Sequence, residues 1–246
     1  MKKTKSILHD ILSSLGDDYK VSDISTCVYW TAVTSHRCGL ASTMAASLFP
    51  SEGPQVECAG NLLPTGAKEL ARLSLSSRTL EAAIGIATIN SMLPIDESLC
   101  IDLNADAELR AHGKGKRIAI IGHFPFVKRL EAEAEELWTF ELPGRARPGD
   151  FSGNSVETLL PQAEVVAITS TTLINHTLEG LLDLIGPGAY KMMLGPSTPL
   201  SPVLFDYGFD ALSGSIVVDR DQVLNCICQG ANFRQVFGVR KVIIRR

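Results

Sequence analysis

The stretch from Glu164 to Leu194, EVVAITSTTLINHTLEGLLDLIGPGAYKMML, contains two apolar runs with a periodic segment between them. The runs EVVAITS and YKMML are almost continuously apolar, which is typical of strands that are buried on both faces of a parallel sheet. Between them, NHTLEGLLDLI carries apolar residues three and four positions apart, which is the spacing of one helix face. The stretch therefore predicts a strand, a helix and a second, parallel strand.

The same alternation extends on both sides of this stretch. Other apolar runs follow the strand pattern, and segments with helical spacing separate them. Repeated strand–helix units predict an α/β fold with a Rossmann-like, doubly wound and mostly parallel sheet. The predicted strands are RIAIIG, LWTFEL, EVVAITS, YKMML, ALSGSIVV and KVIIRR, and the predicted helices are PFVKRLEAEAEE, SVETLLP, NHTLEGLLDLI, PVLFDYG and RDQVLNCICQ.

The chain before these units has a different sequence pattern. A helix is predicted from Lys5 to Leu15, followed by a β-rich run, STCVYWTAVTS, that turns at HRCG and returns through LASTMAAS. Two helical patterns, TGAKELARLSLS and SRTLEAAIGIATINSML, complete a smaller α+β unit. The polar segment DLNADAELRAHGKG separates the regions with these two sequence patterns. We therefore predict an α+β domain over residues 1–104 and a Rossmann-like domain over residues 105–246.

Charge and hydropathy exclude some classes of function. The 246 residues include 23 Lys and Arg against 27 Asp and Glu, a formal charge of −4, and the basic residues are scattered, so no nucleic-acid partner is expected. The longest uncharged runs fall short of the roughly 18 apolar residues of a membrane helix, so no membrane partner is expected either. The apolar stretch after the first lysines is broken by His9 and Asp10, so we expect no secretory signal and a cytoplasmic location.

Common cofactor and metal motifs do not occur in the sequence. The turn GHFPF has one glycine and a proline without an amide donor, unlike the GxGxxG turn of dinucleotide-binding domains. No Walker loop, HExxH or GxSxG motif occurs. The six cysteines form no CxxC pair, and we expect Cys226 and Cys228 to point apart and most cysteines to be small buried apolar residues. The cofactor stays unassigned, and no metal site made only of protein side chains is predicted.

Polar residues gather where the predicted strands end. Because ligands bind beyond the carboxyl ends of the strands in such sheets, a small-molecule site is predicted at this edge. His123 follows the first strand and is the candidate catalytic acid or base. Pro196 and Pro199 fix a rigid turn that we expect to lie across the crevice from His123, so that one ligand touches both. The candidate ligand-binding residues at this edge are Glu141, Asn175, Gly195, Ser197 and Thr198.

Each of these residues also has a structural explanation. The ring of His123 is either functional or bonded to the loop backbone, and Glu141 either accepts ribose hydroxyls or is a solvated strand end. Asn175 either contacts a ligand or caps the helix after it, and these two roles are compatible. Ser197 and Thr198 either cradle an anionic group or start the next short helix. The sequence leaves these alternatives open.

The blocks IIGHFPF, EVVAITSTTLINHTLEGLL, LGPSTPLSPVLFDYG and LSGSIVVD resemble the "putative heavy-metal chelation" domain family. The blocks WTAV, CGLAST and LEAAIGIATINSML are similar to its companion domain, which has an enolase N-terminal-like fold. The resemblance implies two domains that meet around a cleft, with Thr177 joining the residues named above. From the first domain it implies Arg37, Gly39 and Asn90, of which Asn90 is a polar residue on an apolar helix face and needs a hydrogen-bond partner.

Three functions agree with these observations. The first is the binding of a small molecule in the interdomain cleft, linked to heavy-metal chelation or to the handling of a chelator, with a metal chelate as one ligand. The second is an enzyme that transfers a group from a nucleoside-containing cosubstrate such as adenosylmethionine. The third is an interaction module without catalysis. Whether the chain is an enzyme is left undecided, and a homodimer is left open.

Overall fold

The computed structural model describes residues 6–44, 54–142 and 144–246. In these residues a three-stranded antiparallel sheet precedes a six-stranded, mostly parallel sheet. The strands are β1 (Asp23–Thr26), β2 (Trp30–Thr34), β3 (Cys38–Ser42), β4 (Arg117–Ile121), β5 (Glu136–Phe140), β6 (Val165–Thr169), β7 (Tyr190–Leu194), β8 (Ala211–Val217) and β9 (Val239–Arg245). The α-helices are α1 (Ile7–Ser14), α2 (Ala67–Ala71), α3 (Thr79–Met92), α4 (Ala105–Gly113), α5 (Val127–Glu131), α6 (Asn154–Leu159), α7 (Thr171–Ile174), α8 (Leu178–Leu184), α9 (Val203–Asp206) and α10 (Arg220–Cys228).

The large sheet confirms the predicted mixed α/β class. Its order is β5-β4-β6-β7-β8-β9, and every neighbouring pair is parallel except β8 and β9. Strand β4 pairs with β5 on one side and β6 on the other, so the direction of winding reverses at β4. The loops after β4 and β6 therefore leave the sheet in opposite directions and open a crevice at its carboxyl edge.

The two faces of the large sheet have different covers. On one face, Leu109 of α4 and Leu130 of α5 pack against Ile118 and Ile120 of β4. The opposite face belongs to a core that is shared with the first part of the chain, because Ile84 of α3 lies in the same buried cluster as sheet residues of β6 to β8. One continuous core therefore joins both parts of the chain. The predicted boundary at residue 104, and the enolase N-terminal-like fold of the first part, stay predictions.

The small sheet lies close against α3. Gly39 of β3 packs with its Cα towards the helix, since a Cβ atom there would collide with the carbonyl of Ala87 and the amide of Ser91. On its other face, Trp30 belongs to a buried cluster with Val223 and Ile227 of α10. The small sheet is thus fixed between two helices that come from distant parts of the sequence.

Several predicted elements differ from the structure. The segment DLNADAELRAHGKG, predicted as a polar boundary without a lasting helical period, contains α4, in which Leu109 is buried. The run STCVYWTAVTS is divided between β1 and β2, because the chain turns at Cys27, whose amide donates to the Trp30 carbonyl. The helix predicted over PFVKRLEAEAEE ends at Glu131, since the amide of Glu135 donates to Lys116 and leads the chain into β5. The return through LASTMAAS is strand up to Ser42, and its last residues lie outside the described part of the chain, as does Lys5.

No helix within the described ranges has both the length and the apolar character that a membrane crossing requires.

Candidate functional site

His123 lies between two carboxylates at the carboxyl edge of the large sheet. Its Nε2 is 2.6 Å from Oδ2 of Asp150, and its Nδ1 is 3.4 Å from Oε2 of Glu141. Gly122 leads into this position with a φ of +100°, in a place where a Cβ would lie 3.1 Å from Thr169 Cγ2. A glycine is therefore required here, both by the backbone conformation and by the space.

The loop after β5 fixes the two carboxylates. The amide of Arg147 donates to Oδ2 of Asp150 at 2.6 Å, and the amide of Leu142 donates to Oε1 of Glu141 at 2.8 Å. The side chains of His123, Glu141 and Asp150 are 22%, 13% and 10% exposed, so the cluster is largely shielded from water. The contact of Nε2 with Asp150 is a hydrogen bond, and Glu141 lies within ion-pair distance of Nδ1. The two carboxylates therefore hold the ring between them.

His123 and Asp150 face a cavity of about 650 Å³. Besides His123 and Asp150, the walls combine apolar residues of the loop after β4 with four more charged side chains. Two of these side chains, Lys128 and Glu131, come from α5, whereas the others lie on loops. The lining includes Phe124, Pro125, Lys128, Glu131, Thr139, Arg147 and Arg234.

A second cavity of about 780 Å³ adjoins the first, and Phe124, Pro125 and Arg234 contribute to both. It lies on the face of the sheet that α4 and α5 cover, below the carboxyl end of β7. The rings of Phe124 and Phe126 stack there with centroids 5.4 Å apart. The remaining walls come from the start of α4, the turn after β7, the middle of β8, the loop after α10 and β9. They include Asn104, Asp106, Gly195, Pro196, Ser213, Gly214, Ser215, Asn232, Phe233 and Lys241.

The charges of the larger cavity are only partly paired. Asp106 Oδ2 accepts from Arg129 at 2.8 Å, whereas its buried Oδ1 has no hydrogen-bond partner. The Lys241 ammonium lies 5.0 Å from the centre of the Phe233 ring. Neither Lys241 nor Arg234 forms an ion pair with any residue that the structure describes. The cavity thus offers two unpaired cations and one buried acceptor to a ligand.

Among the predicted residues, His123 and Gly195 line these cavities. Gly195 has a φ of +128°, and a Cβ there would lie 2.7 Å from Ser170 Oγ. Glu141 contacts His123, as described above, and is absent from both linings. His123 lines the smaller cavity, Gly195 and Pro196 line the larger one, and Phe124 and Pro125 of the loop after β4 line both. A single site shared by His123 and the proline turn stays a prediction.

The proline turn buries its two hydroxyl side chains, those of Ser197 and Thr198. Ser197 is fully buried, and its Oγ accepts from the Ser42 amide at 2.7 Å and donates to the Ser42 hydroxyl at 3.2 Å. The Asn90 amide donates to the carbonyls of Leu40 at 2.9 Å and of Ser197 at 3.2 Å. Thr198 is buried as well, and its Oγ1 has no partner. These bonds join the two parts of the chain at this point, and the two cavities described above are lined by residues 103–241. Ligand binding in a cleft between the two parts stays a prediction.

The other predicted ligand residues also lie outside the two cavities. The Asn175 side chain accepts from the amide and the hydroxyl of Thr177, so the two residues form a turn just before α8. Arg37 donates its amide to Ser91, and its buried Nε has no partner. Gly39 is in contact with α3. A ligand role for Arg37, Gly39, Asn90, Glu141, Asn175, Thr177, Ser197 and Thr198 stays a prediction.

The cysteines correct the prediction of buried apolar side chains. Only Cys38 of the six is buried, while Cys58 and Cys228 are exposed and the other three are half-buried. The Sγ atoms of Cys27 and Cys228 are 3.4 Å apart. Burial, together with the neighbouring Cys228, raises the pKa of Cys27 to about 11, so this thiol is protonated at neutral pH. Nowhere in the described ranges do three or more His, Cys, Asp or Glu side chains form a group fit for a metal ion.

Sequence reasoning missed Asp106, Asp150, Phe233, Arg234 and Lys241. Asp150 follows a Pro-Gly turn in the loop after β5, and nothing in its local pattern connects it with His123. Asp106 lies in DLNADAELRAHGKG, the polar segment at the predicted boundary between the two parts of the chain. Arg234 and Lys241 reach the cavity from the far end of the chain, so no short motif could have connected them with the loop after β4.

Two family models match the chain, over residues 9–93 and 105–246, and both carry the description "Putative heavy-metal chelation". The chain belongs to this family. A solved family structure of unknown function from Desulfitobacterium hafniense DCB-2 is similar with 26% identity and a TM-score of 0.82, covering 98% of this chain and 97% of that one. A second family structure, from Pyrococcus horikoshii, has 21% identity, a TM-score of 0.81 and 98% coverage of both chains, and supports the fold alone.

A curated relative in the same length range is an uncharacterized protein of Methanocaldococcus jannaschii. It is 26% identical over 225 residues, which is 87% of this chain and 85% of the relative. The family description connects the chain with heavy-metal chelation.

Proposed function

We propose that the chain binds a small anionic molecule with a planar ring in the larger cavity, as a chelator or as its metal chelate. The observation that carries this proposal is the pair of unpaired cations, Arg234 and Lys241, in a cavity whose lining also includes three phenylalanine rings. Both side chains are exposed, and two unpaired cations beside one cavity attract anions. The phenylalanine rings suit a flat ligand.

The chemistry of chelators agrees with this cavity. Organic chelators hold hard and borderline cations through carboxylate or phenolate oxygens, and these oxygens often stand on aromatic rings. The oxygens that face away from the metal are available to Arg234 and Lys241, and Asp106 Oδ1 is available to a donor on the ligand. In this arrangement the chain recognises the metal through its chelator, without protein side chains as metal ligands.

The proposal is tested by the thermal unfolding of the full chain with a panel of compounds. The panel contains pyridine-2,6-dicarboxylate alone, its zinc and ferric complexes, the metals alone, adenosylmethionine and a nucleotide. A ligand at about a hundred times its dissociation constant stabilises the folded chain by about 2.7 kcal/mol. We expect the dicarboxylate or its complexes to raise the melting temperature of the wild type, and the metals alone to leave it unchanged.

The matched variants are Arg234→Gln and Lys241→Gln in the cavity and Lys68→Gln on the exposed surface of α2. Each cavity variant should weaken binding by roughly tenfold to a hundredfold, which is the loss of one charge-assisted hydrogen bond, and the Lys68 variant should bind like the wild type. If no member of the panel binds, or if both cavity variants bind it like the wild type, the proposed site is wrong.

A second candidate function is acid–base catalysis by His123. The observation in its favour is the contact of each ring nitrogen with a carboxylate, in a cluster that opens into the smaller cavity. A histidine so placed supplies and removes a proton during a reaction. The same panel separates this function from plain binding, because compounds that the wild type converts, as followed by mass spectrometry, should persist unchanged with His123→Gln.

A further inference from the structure

Cys27 and Cys228 bring two thiols together from sequence positions 201 residues apart. Cys27 lies in the turn between β1 and β2, and Cys228 is the last residue of α10. Their Sγ atoms are 3.4 Å apart, Cys27 is half-buried and Cys228 is exposed. Ions from the solvent can therefore reach the pair.

The backbone on both sides of this pair is well fixed. Cys27 donates its amide to the Trp30 carbonyl at 2.8 Å, and Trp30 Nε1 donates to the Ala231 carbonyl at 3.0 Å. Trp30 also lies in one buried cluster with Val223 and Ile227 of α10. Two ligands that the fold already holds together lose little entropy when an ion joins them, and they bind it more tightly than two separate thiols would.

We propose that Cys27 and Cys228 form a two-thiolate site for a soft, thiophilic cation of low coordination number, such as Cu⁺ or Hg²⁺. Soft thiolates prefer such cations over hard ones. On binding, each thiol releases one proton to the solvent and each sulfur forms one bond to the metal, with no change in oxidation state. This site goes beyond the proposed chelator cavity, because it holds the metal directly and needs no organic ligand.

The geometry requires only a small side-chain movement. With sulfur–metal bonds of about 2.3 Å, a linear arrangement separates the sulfurs by about 4.6 Å, so the pair has to widen by roughly 1.2 Å. Cys228 stands at the exposed end of α10, where its side chain has room to rotate. Among the other cysteines, all of which are described, no second pair of sulfurs is in contact. The full chain therefore presents one two-thiol site.

The experiment is a titration of the full chain with Hg²⁺ under anaerobic conditions, after reduction with a phosphine and in the presence of excess monothiol. The monothiol removes Hg²⁺ from single cysteines, whereas the preorganised pair should retain about one equivalent after gel filtration. The bound ion should also raise the melting temperature, because it joins the small sheet to α10 and because excess monothiol competes for it with the separated cysteines of the unfolded chain.

The test variants are Cys27→Ser and Cys228→Ser, each of which should lose most of the retained metal and the rise in melting temperature. The controls are Cys58→Ser, which is exposed and distant in sequence, and Cys226→Ser on the same helix, and both should retain one equivalent. Serine is close in size to cysteine, and unfolding without metal verifies that each variant folds. Loss of metal from the wild type to the monothiol, or full retention by either test variant, would overturn the proposal.

Discussion

At the scale of single residues, Glu108 in α4 has the most buried carboxylate outside the cavities among the residues that the structure describes, at 1% exposed. It accepts from Arg245 Nη2 at 2.7 Å and from the Tyr190 hydroxyl at 2.7 Å. Burial would raise the pKa of Glu108, and the hydrogen bonds from Arg245 and Tyr190 outweigh burial, so that the pKa is lowered. The ionised carboxylate therefore stabilises the fold.

We expect Glu108→Gln to lower the free energy of unfolding by about 1–3 kcal/mol at pH 7, because the amide loses the charge-assisted bonds. A carboxyl group with a lowered pKa stabilises the fold above its unfolded pKa of about 4.3, and this contribution is lost as the pH falls through the folded pKa. The difference between variant and wild type should therefore shrink in acid, as followed by urea unfolding between pH 7 and pH 3. In the more exposed pair of Arg110 and Glu133, Glu133→Gln should have little effect at any pH. A difference that does not depend on pH would contradict this reasoning.

His123 illustrates what the sequence predicts about a site. Its place after β4 follows from the apolar run RIAIIG and from the rule that loops at the carboxyl edge carry function. Its partner Asp150 could not be found, because the path of the loop after β5 depends on bonds such as that from the Phe151 amide to Thr139. A functional residue at the end of a strand can be predicted from the sequence. A functional residue that a long loop brings back to the same site cannot.

At the scale of secondary-structure elements, two helix glycines have opposite surroundings. A Cβ on Gly85 in α3 would collide with the amide of Ser74, whereas a Cβ on Gly180 in α8 meets nothing within 4 Å. Gly85→Ala should therefore push α3 away from the adjacent turn and destabilise the fold by more than about 2 kcal/mol. Gly180→Ala should stabilise it by about 0.5–1 kcal/mol, because alanine favours the helix. Urea unfolding of both variants measures these changes, and equal effects would show that the contact at Gly85 relaxes without cost.

Strands were the most predictable elements and short helices the least. The neighbouring strands β4 and β6 are almost wholly buried on both faces, so each leaves a nearly unbroken apolar run in the sequence. The segment EAEAEE has high helix propensity, yet α5 ends at Glu131 because the next residues bond to the chain before β4. Tertiary hydrogen bonds outweighed local propensity there.

At the scale of the whole molecule, the relation between the two parts of the chain was the least predictable feature. The resemblance implies that the two parts meet around a cleft, and the structure shows direct bonds between them from Ser42 to Ser197 and from Asn90 to Ser197. The amide of Ser42 and the hydroxyl of Ser197 are 155 positions apart, and no local pattern records such a contact. The Ser197 hydroxyl therefore contributes to the contact between the parts.

The continuous core predicts that both parts unfold together. The chain has two tryptophans, Trp30 in the small sheet and Trp138 in the large one, and both are buried. In Trp138→Phe, the fluorescence of the remaining Trp30 reports on the first part of the chain. In Trp30→Phe, the fluorescence of the remaining Trp138 reports on the second part. In each variant, the unfolding midpoint in urea from fluorescence should coincide with that from circular dichroism, which reports the whole chain. Separate midpoints within one variant would mean that the parts unfold independently and that the shared core adds little to their coupling.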